Sequence, residues 1–144
     1  MSRATATRTA TLTVGNATAE LQRVVEFVEN FGAANNIPAG ATNDLNLCLD
    51  EILNNTISYG YEDQSQHSIA ITLSLANGWL LAEIQDDGKP FDPRERGFAP
   101  MRGSMQSRQI GGLGLRFVAA LMDAVDYERK SQYNILILKK KLVD

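Results

Sequence analysis

The strongest constraint on the fold is a pair of alternating apolar segments joined by a two-residue turn. Residues 69–75 alternate between apolar and smaller or polar side chains, Asn77 and Gly78 follow, and residues 79–84 form a second apolar segment. A period of two indicates β-strands that bury one face, and Asn-Gly favours a tight hairpin turn. The sequence therefore predicts two antiparallel strands, paired with each other, in the middle of the chain.

Two helical patterns precede this hairpin and a third follows it. Apolar residues recur at intervals of three and four from Leu21 to Phe31, and again from Leu45 to Thr56 in a segment that ends near Gly60. The third pattern begins at Gly112 and is predicted to bury Leu115, Val118, Leu121, Met122 and Val125. Three amphipathic helices are therefore expected.

Further strands are predicted at about 6–14, 126–130 and 133–140, which gives the order βααββαββ. This order favours an α/β (α+β) two-layer sandwich, in which helices pack on one face of a mixed, mainly antiparallel sheet. We expect one domain over residues 1–144. Residues 92–111 show no clear period and are longer than an ordinary loop, so we predict that they form a lid.

Composition restricts the compartment and the class of ligand. A formal net charge of −3 argues against a general nucleic-acid or anionic-membrane surface. The single cysteine, Cys48, cannot form an internal disulfide, and no apolar run is long enough to span a bilayer. We therefore expect a cytoplasmic protein. The segment from Gly88 to Gly111 carries five basic and two acidic side chains, which suggests a phosphate ligand.

Two short motifs bring polar side chains to places where chemistry is possible. Glu51 and Asn55 are four residues apart on the second predicted helix, so both lie on one helix face. That arrangement pairs a possible base with a metal-binding amide. Asp86 ends an apolar strand pattern, and Gly88 follows in a turn where the backbone can approach a ligand closely.

A third motif, GGLGL, begins at Gly111 and opens the third helical pattern. Glycines at a helix start expose backbone N–H groups, and the helix dipole favours anions there. Phosphate is the natural ligand of such a segment.

These three motifs resemble the boxes of the GHKL ATP-binding fold, in which ExxxN lies on a helix, DxG follows a strand and GLGL opens a helix. Within that superfamily, DDGKPFDP and GGLGLRFVAALMD most resemble the serine kinase anti-sigma factors of bacteria. The resemblance covers the chain from about Asn16 onward. Pro90 stands where the wider superfamily often has a second glycine, and no arginine immediately precedes GGLGL.

The resemblance implies a role for each matching residue. Glu51 matches the proposed catalytic base, Asn55 the Mg²⁺ ligand, and Asp86 the carboxylate that accepts a hydrogen bond from the adenine amino group, with Gly88 beside the base. The phosphate-binding segment corresponds to Gly112, Leu113, Gly114 and Leu115. Arg108 is a candidate contact to the γ-phosphate.

The implied activity is transfer of the γ-phosphoryl group of ATP, bound with Mg²⁺, to a serine of an anti-anti-sigma (STAS-type) partner. Binding of a sigma factor and a homodimer are implied as well. Two other functions are open: a non-catalytic switch in which ATP creates a docking surface, and a stand-alone ATP-binding domain of a two-component histidine kinase.

Each motif residue also has an ordinary interpretation. Glu51 and Asn55 could be solvated helix residues. Asp86 could be a residue that only forms the turn, and Asp87 is an alternative candidate for the role assigned to Asp86. Asn16 or Thr18 could cap the first helix. His67 lies in a polar turn, so we expect it to be solvated and not to accept a phosphoryl group.

Overall fold

The computed structural model describes residues 8–63, 65–96 and 118–142. In chain order the strands and helices are β1 (Arg8–Gly15), α1 (Leu21–Ala34), α2 (Ala39–Tyr59), β2 (Ser68–Ala76), β3 (Trp79–Asp86), α3 (Pro93–Arg96), β4 (Ala124–Lys130) and β5 (Tyr133–Lys141). A short 3₁₀ turn, Thr18–Glu20, precedes α1, and residues 118–121 are helical.

The five strands form one sheet in the order β1-β2-β3-β5-β4, and each of these neighbouring pairs is antiparallel. The β2–β3 hairpin turns at Asn77 and Gly78, whose φ angles of 55° and 82° are the left-handed values that a tight hairpin turn requires. The predicted hairpin is therefore confirmed.

The core lies between the two long helices and one face of the sheet. Register places Ile71 opposite Ile84 and Ile84 opposite Leu136, so these three side chains form a row on the same face. Residues from α1 and α2 complete that core, namely Val24, Val28, Phe31, Leu45, Cys48, Leu49, Ile52 and Leu53. This arrangement confirms the two-layer α/β sandwich with a mainly antiparallel sheet.

Two details differ from the predicted pattern. Val125 does not continue the third helix but lies on β4, where it pairs with Leu138. Sheet pairing therefore begins at Ala124, before the predicted start of this strand. The first residues of the predicted lid form the short helix α3. The rest of the lid lies outside the described residues.

No helix in the described part of the chain is long and apolar enough to cross a membrane.

Candidate nucleotide site

The site begins on the less buried face of α2, where Glu51 and Asn55 form a pair. The Asn55 side-chain amide donates to the Glu51 backbone carbonyl at 2.8 Å and to Glu51 Oε2 at 3.0 Å. Both bonds use Nδ2, so the carbonyl oxygen Oδ1 is the atom of Asn55 that is left for a ligand. The i, i+4 spacing thus produces a contact between the two side chains.

Asp86 is the last residue of β3 and is only 7% exposed. Its Oδ1 accepts hydrogen bonds from the Gly88 backbone N–H at 2.8 Å and from Asn134 Nδ2 at 3.0 Å. Within the described residues, no hydrogen bond to Oδ2 is found. One carboxylate oxygen is therefore fixed by the protein, and the other is available as an acceptor.

Burial raises the pKa of Asp86, because the charged carboxylate loses water. The hydrogen bonds from Asn134 and Gly88 oppose that rise in pKa, and so does the nearby Arg129, whereas the charge on Asp87 adds to it. A buried carboxylate with a raised pKa costs folding free energy when it is ionised. Its presence at this position points to a functional role.

Gly88 allows the turn after β3 to lie directly against the end of α2. A Cβ at this position would lie 2.7 Å from the Gly60 carbonyl oxygen and 3.0 Å from Asp86 Oδ1. The next residue, Lys89, donates its backbone N–H to the same Gly60 carbonyl at 2.8 Å. No residue with a side chain fits at Gly88 without moving one of these backbones.

Asn134 on β5 is the residue that sequence patterns did not reveal. It is 6% exposed, and its Nδ2 donates to Asp86 and to the backbone carbonyl of Lys89 at 3.0 Å. Its Oδ1 accepts from the Phe91 N–H and from the Tyr127 hydroxyl. A single buried amide thus holds the Asp86 carboxylate and the following turn together. Asn134 lies opposite Asp86 in the β3–β5 register, and this position indicates its role only once the register is known.

Replacing Asn134 with Ala is expected to lower the free energy of unfolding by about 1–3 kcal/mol, because buried partners lose their hydrogen bonds. Tyr127→Phe removes one hydroxyl from the same network and should cost less, about 0.5–1.5 kcal/mol. Urea denaturation of both variants measures the two values. Equal losses would show that Asn134 does not act as the centre of the network.

These groups line a cavity of about 530 Å³, a size typical of ligand sites. Asn55, Asp86 and Asn134 supply polar atoms, while Ile52, Ile84 and Leu136 supply apolar walls. Tyr61 and Phe91 add aromatic rings. The arrangement can hold a flat heterocycle against Asp86 and an oxygen-rich group near Asn55.

The structure brings most of the described candidate residues together. Asn55 and Asp86 line the cavity, Gly88 shapes the turn beside it, and Glu51 reaches it through its hydrogen bond to Asn55. Asp87 instead pairs with His67, at 3.0 Å between the carboxylate and Nδ1. The remaining candidates, Arg108, Gly112, Leu113, Gly114 and Leu115, lie outside the described residues.

Known proteins resemble this chain in sequence or in fold. A serine/threonine-protein kinase, BtrW, from Bordetella bronchiseptica is 34% identical over 94 residues, which are 65% of this chain and 66% of that protein. The chain therefore spans just under two thirds of that relative. An anti-sigma F factor from Clostridium botulinum is 24% identical over 98 residues, which are 68% of each protein.

A solved structure of the RsbU and RsbW domains of a Mycobacterium tuberculosis protein has a similar fold, with a TM-score of 0.64 at 17% identity. The match covers 94% of this chain and 32% of that chain. Residues 15–140 match the family described as histidine kinase-like ATPase domain, and this range includes every residue that lines the cavity. The chain belongs to the histidine kinase-like ATPase domain family.

Proposed function

We propose that this protein is an ATP-dependent serine protein kinase that acts as an anti-sigma factor. The observation that carries the proposal is the placement of the Glu51–Asn55 pair beside a cavity that also contains the buried carboxylate of Asp86. The kinase and anti-sigma names of the relatives support the same function. The cavity would bind ATP, with its base toward Asp86 and its phosphates toward Asn55.

Base recognition would depend on the free oxygen of Asp86. Adenine presents an amino group that donates a hydrogen bond, whereas guanine presents a carbonyl oxygen at the corresponding position. The Asp86 Oδ2 atom accepts hydrogen bonds and would therefore pair with adenine and repel guanine. Asn134 fixes Oδ1, so the carboxylate cannot turn away without losing that bond.

Mg²⁺ would be held by Asn55 together with phosphate oxygens and water. This fits the donor chemistry, because Mg²⁺ prefers oxygen ligands and is commonly bound by few protein groups when substrate phosphates are present. Among the described residues there is no cluster of three or more acidic, His or Cys side chains that could hold a metal alone. When bound, Mg²⁺ would neutralise charge on the phosphates.

Glu51 would act as the base for the serine hydroxyl. The serine Oγ would attack the γ-phosphorus, and its proton would pass to the Glu51 carboxylate. The bond between the γ-phosphorus and the bridging oxygen would break, so ADP leaves with that electron pair. The hydrogen bond from Asn55 holds Oε2 of Glu51, which keeps the base near the proposed phosphate end of the cavity.

The remaining parts of the site would come from residues 92–115. We propose that residues 92–111 act as a lid and that the backbone of Gly112, Leu113, Gly114 and Leu115 contacts the phosphates, with Arg108 toward the γ-phosphate. Five basic side chains between Gly88 and Gly111 support an anionic ligand.

The proposed protein substrate is an anti-anti-sigma protein of the STAS type, and a sigma factor is the proposed regulatory target. We further propose a single-domain homodimer that works in the cytoplasm. Light scattering of the purified protein measures the dimer, and a monomer at every accessible concentration would contradict it.

Incubation with ATP, Mg²⁺ and a STAS-domain protein encoded by the same genome tests the proposal. We expect one phosphate on a serine of that partner, located by mass spectrometry. Acid-labile phosphohistidine would instead indicate a detached histidine kinase domain. ATP-dependent partner binding without a phosphorylated product would indicate a switch.

Replacing Asn55 with Ala is expected to abolish the dependence of ATP affinity on Mg²⁺, because the proposed protein ligand is lost. Asn54→Ala is the matched control, since Asn54 makes the same kind of bond to the Asp50 carbonyl one residue away on α2. Calorimetric titration with and without Mg²⁺ measures both. If native and Asn55→Ala proteins respond equally to Mg²⁺, Asn55 does not hold the metal.

A further inference from the structure

The sequence predicted a solvated side chain for His67, but in the structure only 16% of this side chain is exposed. Nε2 lies 2.8 Å from an Asp63 carboxylate oxygen, and Nδ1 lies 3.0 Å from Asp87 Oδ1. Asp63 belongs to the segment after α2, whereas Asp87 follows Asp86 at the end of β3. One imidazole therefore links two segments that border the cavity.

Two more contacts connect this imidazole to its surroundings. Its ring stacks on that of Tyr61, with centroids 4.1 Å apart and an interplanar angle of 15°. Tyr61 lines the cavity together with Asp86. The backbone N–H of His67 donates to the Asn16 side chain at 3.1 Å, so Asn16 fixes this segment and does not cap α1.

We propose that His67 is a positioning residue for nucleotide binding. As an imidazolium it would hold the residues that follow α2, Tyr61 and Asp63, to the Asp86–Asp87 turn, and so fix Tyr61 as a wall of the base pocket. The proposal rests on the ATP site proposed above. It adds to that site a protonation-dependent group that contacts neither of the proposed catalytic residues, Glu51 and Asn55.

The chemistry of the ring explains why its charge matters. An imidazolium donates from both nitrogens and can satisfy both carboxylates, whereas a neutral imidazole has only one N–H. In the neutral ring, the other nitrogen presents a lone pair to a carboxylate, and one of the two links is lost. Ser65 Oγ, 3.1 Å from Nε2, also donates to Asp63 or the ring but carries no charge.

The charged groups facing His67 favour its protonated form. The hydrogen bond with Asp63 raises the pKa of His67, and the hydrogen bond with Asp87 and both negative charges raise it further, against the opposing effect of burial. Asp63 responds in the opposite direction, because the bonds from His67 and Ser65 lower the pKa of its carboxyl group. Asp86, the residue before Asp87, is a further carboxylate nearby. Tyr61 contributes a neutral phenol whose pKa is raised by burial.

The sign of the pH dependence follows from this direction. A histidine whose pKa is raised in the folded protein stabilises the fold fully below its unfolded pKa of about 6.5. That stabilisation is lost as pH rises through the folded pKa, which lies above 6.5. We therefore expect base binding also to weaken across the same interval.

The chain contains one histidine, so its imidazole gives unambiguous NMR signals. Adenosine is the probe, because it carries the base without phosphate charges that would raise the pKa of any nearby group. If protonated His67 improves adenosine affinity about fivefold, linkage requires saturating adenosine to raise the NMR-measured pKa by about 0.7. An unchanged pKa in the presence of bound adenosine would overturn the proposal.

The matched variant is His67→Gln, which retains one donor but cannot titrate. Native protein should lose about fivefold in adenosine affinity as pH rises through the His67 pKa, and the variant should bind with a flat profile. The same pH dependence in both proteins would also overturn the proposal. Failure of both ATP and adenosine to bind would remove the proposed function together with this inference, whereas ATP binding without adenosine binding would remove only this inference.

Discussion

Replacing Glu51 with Gln is expected to slow serine phosphorylation by roughly two or more orders of magnitude, the usual scale for loss of a general base. ATP affinity should remain close to native. Glutamine has nearly the same shape and can still accept the hydrogen bond that Asn55 donates to Oε2. The variant therefore removes proton acceptance and leaves the pairing of the two side chains intact.

Asp50→Asn is the matched control for this experiment. Asp50 is the preceding residue of α2, is exposed, and loses the same charge when replaced. Single-turnover transfer to the partner, measured beside ATP binding by calorimetry, separates chemistry from affinity. Glu51→Gln activity equal to that of the Asp50 variant would exclude Glu51 as the base.

Replacing Asp86 with Asn should lower ATP affinity by roughly 5- to 150-fold, which corresponds to the cost of about one to three kcal/mol for a mispaired buried donor. The Gly88 N–H and Asn134 Nδ2 both require an acceptor at the Oδ1 position. The new amide nitrogen must therefore occupy the Oδ2 position, where it meets the adenine amino group as a second donor. Guanine offers an acceptor there, so preference for ATP over GTP should shrink by about tenfold or more.

The same substitution should not destabilise the free protein. Burial raises the pKa of Asp86, so the folded state disfavours the ionised carboxylate. Relative to a protonated side chain, the native protein therefore loses stability as pH rises through this pKa, and the uncharged amide of the Asp86→Asn variant avoids that loss. Urea denaturation should give a variant at least as stable as native at pH 7. A large loss of stability, or an unchanged ratio of ATP to GTP affinity, would contradict the assignment of Asp86.

Local sequence patterns predicted the helices and strands, because such patterns depend on residues that are close together in the sequence. The turn at Asn77 and Gly78 fixes the β2–β3 hairpin, and the spacing of apolar residues defines α1 and α2. Val125 was predicted wrongly because its apolar spacing fits a helix and a strand equally well. Its pairing with Leu138 on β5, which local spacing does not include, determines the result.

The candidate site was predictable only in part, for a related reason. Glu51 and Asn55 are one helical turn apart, so spacing alone places them together. Asn134 reaches Asp86 across 48 positions of sequence, and His67 reaches Asp87 across 20. Such contacts depend on sheet register and loop path. A polar residue opposite Asp86 on a buried strand face can be identified as its partner only once the sheet register is known.

The fold explains how one cavity can combine recognition and chemistry. Asp86 at the end of β3 and Asn134 on the neighbouring strand β5 supply a fixed set of hydrogen-bonding groups for a base. The α2 helix contributes Asn55 to the lining of the same cavity. Groups on a sheet and a long helix are fixed by the core, so their separation does not depend on loop conformation.

An NMR titration of the isotopically labelled protein with ATP and Mg²⁺ tests most directly whether this cavity is the nucleotide site. We expect saturable shifts of the side-chain amides of Asn55 and Asn134 and of the Gly88 backbone amide. The amide of Gly78, in the hairpin turn and not among the cavity-lining residues, should remain unchanged. Saturable binding that leaves the Asn55, Asn134 and Gly88 signals unmoved, or no binding at all, would contradict the assignment of this cavity as the nucleotide site.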